Sequence, residues 1–240
     1  MQAIRCFLFH LLMAMTTVVV AIFSVTLIVF PLKTRIRILG LYGIFNIHLL
    51  KWLCGVRWQI AGTENIPEGP AIIFSKHQST WETMALQLIF PPQTYVVKKE
   101  LMRIPFFGWG LAIMKPIAID RQAGRKAVEQ VVEQGLDRLR RGIWVVIFPE
   151  GTRVPPGKRI RYRLGGAILA ARSGLPVVPV AHNAGEFWRK GQFVLKPGTI
   201  RMVIGPPIPT AGRKPEEILA DAEEWIESTM AEISQIPDKS

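Results

Sequence analysis

No charged residue stands between Cys6 and Phe30, and this run exceeds the roughly 20 mostly apolar residues that cross a hydrocarbon core. The pattern predicts a membrane helix. A cleaved signal peptide has a shorter apolar region and a small-residue cleavage site, whereas this run ends in Phe30-Pro31-Leu32-Lys33, so the helix is expected to be retained. A second apolar stretch, Ile38 to Val56, is interrupted by Asn46, His48 and Lys51 and has Trp52 and Trp58 near its end. Those interruptions fit residence at the membrane interface better than a second crossing. A helix packed on a soluble domain shares the same kind of apolar face and fits equally well.

Beyond Trp58 the pattern changes to short apolar runs alternating with longer helical ones, bounded by Gly and Pro, as in an α/β domain. Strands are predicted at Ala71 to Ser75, Thr94 to Val97, Ile117 to Asp120, Ile143 to Phe148, Val177 to Ala181 and Ile200 to Gly205. Most are apolar throughout, as strands covered on both faces are. From Gln122 to Arg141, apolar residues at 128, 131, 132, 136 and 139 trace one buried helix face, and Gly142 ends it. Thr80 to Phe90, Leu164 to Arg172 and Glu216 to Ile233 read as further helices. The expected architecture is α/β: a mixed, largely buried sheet flanked by helices in residues 59–240, preceded by a membrane-anchoring helix pair in residues 1–58.

Composition narrows the class. With 240 residues, 49% of them hydrophobic, the chain can build one ordinary core outside the anchor. A formal charge of +12 favours an anionic partner: nucleic acid, an acidic lipid surface or a phosphorylated substrate. Arg5 precedes the first apolar run while Lys33, Arg35 and Arg37 follow it, which marks the cytoplasmic flank and puts the remaining chain on that side of an inner membrane. Cys6 and Cys54 both lie in apolar segments, poor places for a disulfide, so a reducing compartment is the simpler expectation.

Ligands of α/β sheets collect beyond the carboxyl ends of the strands. Two polar segments follow apolar runs there: Lys76-His77-Gln78-Ser79-Thr80-Trp81-Glu82 and Glu150-Gly151-Thr152-Arg153. Of four histidines, His10 and His48 lie in the apolar N-terminal segments. His182 follows a strand with Glu186 four residues on, a pairing distance only if the intervening Asn-Ala-Gly is helical; the alternative is a strand-end ring bonded to backbone. His77 and Glu82 are five apart, about 140° around a continuous helix. They pair only if His77 stays in the turn before a helix whose first turn holds Glu82. Ser79 and Glu82 have the spacing of a capping box, which supplies that helix start and also offers Glu82 a merely structural role. Pro149-Glu150-Gly151 is equally a turn, although Arg153 suits bidentate phosphate binding.

Taken together, KHQSTWE, PIAIDR, FPEGTR and VPVVPVA, in that order, with KKEL and IPFFGWG between the first two, resemble the glycerophospholipid acyltransferases and specifically their bacterial lysophosphatidic acid members. The likeness covers roughly residues 62–205. KHQSTWE is similar to the family's His-x4-Asp motif, with Glu82 in place of the usual Asp. The resemblance implies that His77 is the general base and Glu82 its orienting carboxylate, with Arg121 and Arg153 holding a phosphate and Lys98 a weaker candidate. It also implies that Glu150, Gly151 and Thr152 shape the glycerol site.

The implied reaction moves an acyl group from an acyl carrier protein or coenzyme A thioester to lysophosphatidic acid, with no cofactor, no metal and no nucleic acid. Other acceptors, or water in a thioesterase or lipid hydrolase, remain alternatives. The basic run Lys158, Arg159, Arg161 and Arg163 is a docking candidate for an acidic carrier protein or anionic lipid, against the plainer reading of a solvated surface.

Overall fold

The computed structural model describes residues 1–90, 92–120 and 123–237. Helix α1 (Gln2–Ser24) continues through a 3-10 turn at Val25–Val29, and Pro31 separates it from α2 (Leu32–Cys54). Proline suits that junction because it has no N–H to leave unpaired at a helix start. Arg35 reaches back and donates to the carbonyls of Ile28 and Phe30 at 2.5 and 2.7 Å, satisfying acceptors that a helix end leaves open. The Thr17 and Tyr42 hydroxyls, 2.6 Å apart, tie the hairpin together.

Both N-terminal segments are long and apolar enough to cross a membrane, but they are used differently. Helix α1 exposes Phe7, Leu11, Val19, Ile22 and Phe23, while α2 buries Ile36, Leu39, Ile47 and Leu50. Nor does α1 project away from the rest of the protein. Phe9 packs edge-on against Trp188 with centroids 5.4 Å apart, and the Gln2 amide donates to the Leu195 carbonyl at 3.0 Å.

The remaining elements are β1 (Val56–Ala61), β2 (Ile72–Ser75), α3 (Trp81–Ile89), β3 (Gln93–Lys98), α4 (Phe107–Ile113), β4 (Ile117–Ile119), α5 (Arg125–Arg140), β5 (Trp144–Ile147), α6 (Gly165–Ser173), β6 (Val177–His182), β7 (Gly198–Ile204) and α7 (Pro215–Ile233). The strands form one seven-stranded sheet in the order β1-β7-β6-β2-β5-β3-β4. Neighbours run parallel except β6 and β7, so the sheet is mixed as the sequence predicts.

Two elements were not predicted. Strand β1 follows α2 after a single glycine and is exposed at Arg57, Gln59 and Ala61, so its short alternation merges with the apolar stretch before it. Helix α4 carries two glycines in seven residues, too short and too glycine-rich to show a helical period.

Alternation along the inner strands divides the core. Ile73, Val146 and Val180 face α1, α2 and α3, whereas Ile72, Phe74, Val145 and Ile147 face α5, α6 and α7. The parallel strands β2, β5 and β3 end at one edge, which is where the two polar segments emerge. Helix α2 reaches α3 because Gly43 has no side chain: a Cβ there would stand 3.3 Å from both the Cα and the carbonyl oxygen of Met84. Gly43→Val should therefore push the two helices apart and destabilise the protein by about 1–3 kcal/mol. Thermal denaturation in detergent micelles measures this, and an unchanged melting temperature would show that the α2–α3 contact bears no load.

Candidate active site

Strand β2 ends at Ser75, and the next two residues are held on every side. The Lys76 N–H donates to the Val180 carbonyl at 2.9 Å, and the Lys76 carbonyl accepts from His182 Nε2 at 2.7 Å. The His77 N–H donates to Glu150 Oε2 at 2.6 Å, and its carbonyl accepts from the Val154 N–H at 2.8 Å. A loop whose backbone polar groups are all engaged this way holds its side chain in one place.

That side chain meets Glu82. His77 Nδ1 lies 2.8 Å from Glu82 Oε1, and the same carboxylate accepts from the N–H groups of Gln78 at 3.0 Å and Ser79 at 2.8 Å. Ser79 Oγ in turn accepts from the Trp81 N–H at 3.2 Å. The capping and pairing roles weighed for Glu82 are therefore one arrangement, and its extra methylene relative to Asp leaves the imidazole within bonding range. It also commits the N–H groups of Gln78 and Ser79 to the carboxylate, which removes them as oxyanion donors.

Glu82 is fully buried. Burial pushes its carboxyl upward, but His182, the bond and charge of His77 and the Ser79 N–H outweigh that and hold it below the usual range. An ionised carboxylate can only accept, so the shared proton sits on His77 Nδ1 and leaves a lone pair on Nε2. Phe148 fixes the plane of the ring, stacking on it at 3.9 Å and 16°.

His182 is the backbone-bonded strand-end residue. It is fully buried, donates from Nε2 to Lys76, accepts from the Ala184 N–H at Nδ1 (3.3 Å), and stands 4.0 Å from Glu82 Oε2. Glu186 does not pair with it and instead accepts from Asn183, Ser234 and Gln235.

The second segment comes to the same place with one correction. Glu150, expected to shape a glycerol site, points inward: its oxygens engage the His77 N–H and Lys76 Nζ, the latter at 2.9 Å. Its pKa is pushed up to about 7, burial raising it more than Lys76 lowers it. Gly151 has φ 70°, and a Cβ there would meet Arg163 Nε at 2.7 Å, so the turn requires glycine. Thr152 is exposed, and the half-buried Arg153 donates from Nη1 to Thr80 Oγ1 at 3.1 Å. Lys98, exposed at the end of β3, shares the sheet edge and lies two strand spacings from β2, roughly 10 Å. Arg121 lies outside the described residues.

Residues not anticipated are Lys76, Phe148 and, from α7, Glu227, whose Oε1 stands 2.7 Å from Lys76 Nζ. Lys76 was visible beside His77; nothing in the sequence joins it to a glutamate 151 positions away. Phe148 also lines an open cleft with Val96, Ile119, Val128 and Ile147, rimmed by Arg163. Among the described residues no group of three His, Cys, Asp or Glu side chains is placed to hold a metal ion.

Comparison with known proteins decides the family. Residues 57–183 match the family described as Acyltransferase. The chain is 45% identical over 243 residues to a 1-acyl-sn-glycerol-3-phosphate acyltransferase of Pseudomonas aeruginosa, covering 99% of this chain and 95% of that one. The chain belongs to the acyltransferase family. A 1-acyl-sn-glycerol-3-phosphate acyltransferase of Limnanthes alba is 30% identical to this acyltransferase over 212 residues, 88% of this chain and 75% of the plant protein. The crystal structure of the 1-acyl-sn-glycerophosphate acyltransferase from Thermotoga maritima superposes with a TM-score of 0.81 over 100% of both chains at 23% identity, a likeness of fold.

The buried histidine gives this acyltransferase a pH signature. Burial lowers the His182 pKa below its ordinary 6.5, and the Ala184 N–H aimed at Nδ1 leaves no room for a second proton. The unfolded chain therefore binds that proton first, so the His182 contribution to stability is intact above about pH 6.5 and declines as pH falls. Glu150 acts oppositely over the same window, its folded value of about 7 exceeding the ordinary 4.5. The difference between wild type and His182→Asn isolates the histidine. Wild type should lose stability relative to the variant below pH 6.5, by at most about 1.4 kcal/mol per pH unit, and parallel urea-denaturation curves at pH 7.5 and 5.5 would exclude the effect.

Proposed function

We propose that this acyltransferase moves a fatty acyl group from an acyl thioester to the sn-2 hydroxyl of lysophosphatidic acid, giving phosphatidic acid, with His77 as general base. The observation that carries the reading is the contact of 2.8 Å between His77 Nδ1 and a fully buried Glu82, which leaves Nε2 able to accept a proton. In this reading Nε2 removes the sn-2 hydroxyl proton as that oxygen attacks the thioester carbonyl carbon. The tetrahedral adduct collapses, the carbon–sulfur bond breaks, and the departing thiolate takes the proton from Nε2. Glu82 stabilises the transient imidazolium and holds its orientation. The substrate hydroxyl stands where a serine protease has its own serine, so no acyl-enzyme is required.

Arg153, beside the loop that carries His77, and Arg121 would bind the acceptor phosphate, with Lys98 at the same sheet edge as a secondary cation. Gly151 and Thr152 would face the glycerol. The cleft that Phe148 lines offers apolar space on the α5 and α6 side of the ring that stacks on the imidazole, as a fatty chain needs. The donor is an acyl carrier protein or coenzyme A thioester. The exposed apolar face of α1 supports association with a membrane, and the basic residues Lys33, Arg35 and Arg37 after it favour the cytoplasmic side of the inner membrane. The contacts of α1 with Trp188 and Leu195 favour a helix lying along the domain over one that leaves it to cross the bilayer.

Purified protein offered labelled acyl-coenzyme A and acyl carrier protein donors, with a panel of lysolipids, tests the reading. Lysophosphatidic acid should be the preferred acceptor, and free fatty acid released equally without any acceptor would replace the assignment with hydrolysis. His77→Ala should lower turnover by roughly 10²- to 10⁴-fold with folding and vesicle binding retained. Glu82→Asp should keep measurable turnover, and finding it as inactive as Glu82→Ala would remove the orienting role.

A further inference from the structure

Behind the imidazole lies a charge cluster that the proposed chemistry does not use. Lys76 Nζ stands 2.9 Å from Glu150 Oε1 and 2.7 Å from Glu227 Oε1, with all three side chains nearly excluded from solvent. The Tyr162 hydroxyl, also buried, donates to Glu227 Oε1 at 2.7 Å, and Arg159 Nε approaches Oε2 at 3.5 Å from the surface. The other oxygen of Glu150 accepts the His77 N–H at 2.6 Å. An unbroken chain of short polar contacts thus runs from α7 through Lys76 and Glu150 to the peptide group of His77.

We propose that Glu227 is a positioning residue: by holding Lys76, and through it Glu150, it fixes the peptide from which the His77 imidazole projects. The inference rests on the reading of His77 as general base. Its physical basis is the cost of buried charge. Two carboxylates share one ammonium, and a buried ion group persists only when its geometry and remaining hydrogen bonds are satisfied. Removing Glu227 leaves Lys76 with one partner and free to move, and a small displacement of a reacting group costs a large factor in rate. In this role Glu227 acts through Lys76 and Glu150 and touches no reacting atom.

The electrostatics agree with the geometry. Glu150 faces Lys76 at the end of β2, Glu227 on α7 and Tyr162 in the loop between β5 and α6, with Glu223, Arg159 and Arg161 around the outer part of the cluster. Burial and the neighbouring Glu227 both push the Glu150 carboxyl upward against the pull of Lys76. The ionised form makes the stronger bond to the His77 N–H, so the state of Glu227 should be legible in the acid limb of turnover.

The test uses the full chain in detergent micelles, with lysophosphatidic acid as acceptor and whichever of the acyl-coenzyme A and acyl carrier protein donors wild type accepts. Glu227→Gln should lower kcat by about 10- to 100-fold, leave the acceptor KM within about twofold, and move the acid limb of the kcat profile to lower pH. Tyr162→Phe, which removes one hydrogen bond and no charge, should lower kcat by about threefold with KM unchanged and the protein still fully folded at the assay temperature. Wild-type kcat in Glu227→Gln would overturn the proposal, as would a loss fully accounted for by the unfolded fraction with the acid limb unmoved. If Glu227→Gln does not fold, wild-type kcat in Tyr162→Phe overturns it. His77→Ala separates the two ideas: if it stays active the base assignment itself fails, whereas an inactive His77→Ala beside a normal Glu227→Gln defeats only the positioning role.

Discussion

A carboxylate taken fully out of water must be compensated, and the closest partners of Glu82 come from one turn of chain, with His182 4.0 Å away on the other side. Its oxygens accept from the imidazole of His77 and the N–H groups of Gln78 and Ser79, three donors gathered because the chain turns from β2 into α3 at that point. Desolvating an ionised carboxyl costs several kcal/mol or more unless it is paired and hydrogen-bonded. The carboxylate therefore cannot let go of the imidazole cheaply, and the histidine is held in one tautomer as a consequence of folding. That constraint orders the rest of the site: the helix start, the stacking of Phe148 and the outward-facing nitrogen of His77 all refer to the position of one buried acid.

The sheet supplies the other half of that rigidity. β2 lies between β5 and β6, so the residues leaving its end are flanked by the residues leaving its neighbours. His182 from β6 grips the Lys76 carbonyl, and Glu150 and Val154 from beyond β5 grip the two sides of the His77 peptide. His182 ends a strand buried on both faces, and Glu150 and Val154 lie in the segment that leaves another. The proposed base thus sits on a loop held from both neighbouring strand ends, while the exposed Thr152 and half-buried Arg153 lie on the turn beyond β5.

Much of this was legible in the sequence for reasons that can be named. The central strands are buried on both faces, so their apolar runs stand out, and the predicted and observed limits of β2, β5 and β6 agree to within a residue at either end. The pairing of His77 with Glu82 could be framed because both lie within seven consecutive residues and a capping signal locates the helix start. The orientation of Glu150 could not. A glutamate after a strand reads the same whether it faces a ligand or the interior, and only the position of Lys76 turns it inward. Glu227 was hidden for a different reason: it lies next to the buried Ile226 on an amphipathic helix, where a single acid reads as the margin of the polar face. Strand β1 was lost because it follows the apolar helix after a single glycine.

Nitrogen-15 NMR of the histidine rings, with His77→Ala used to assign its signals, tests the central constraint most directly. At pH 8, well above the ordinary histidine pKa, His77 should show a protonated Nδ1 and an unprotonated Nε2, and Glu82→Gln should erase that preference. A ring protonated at Nε2, or one whose tautomer ignores residue 82, would contradict the account.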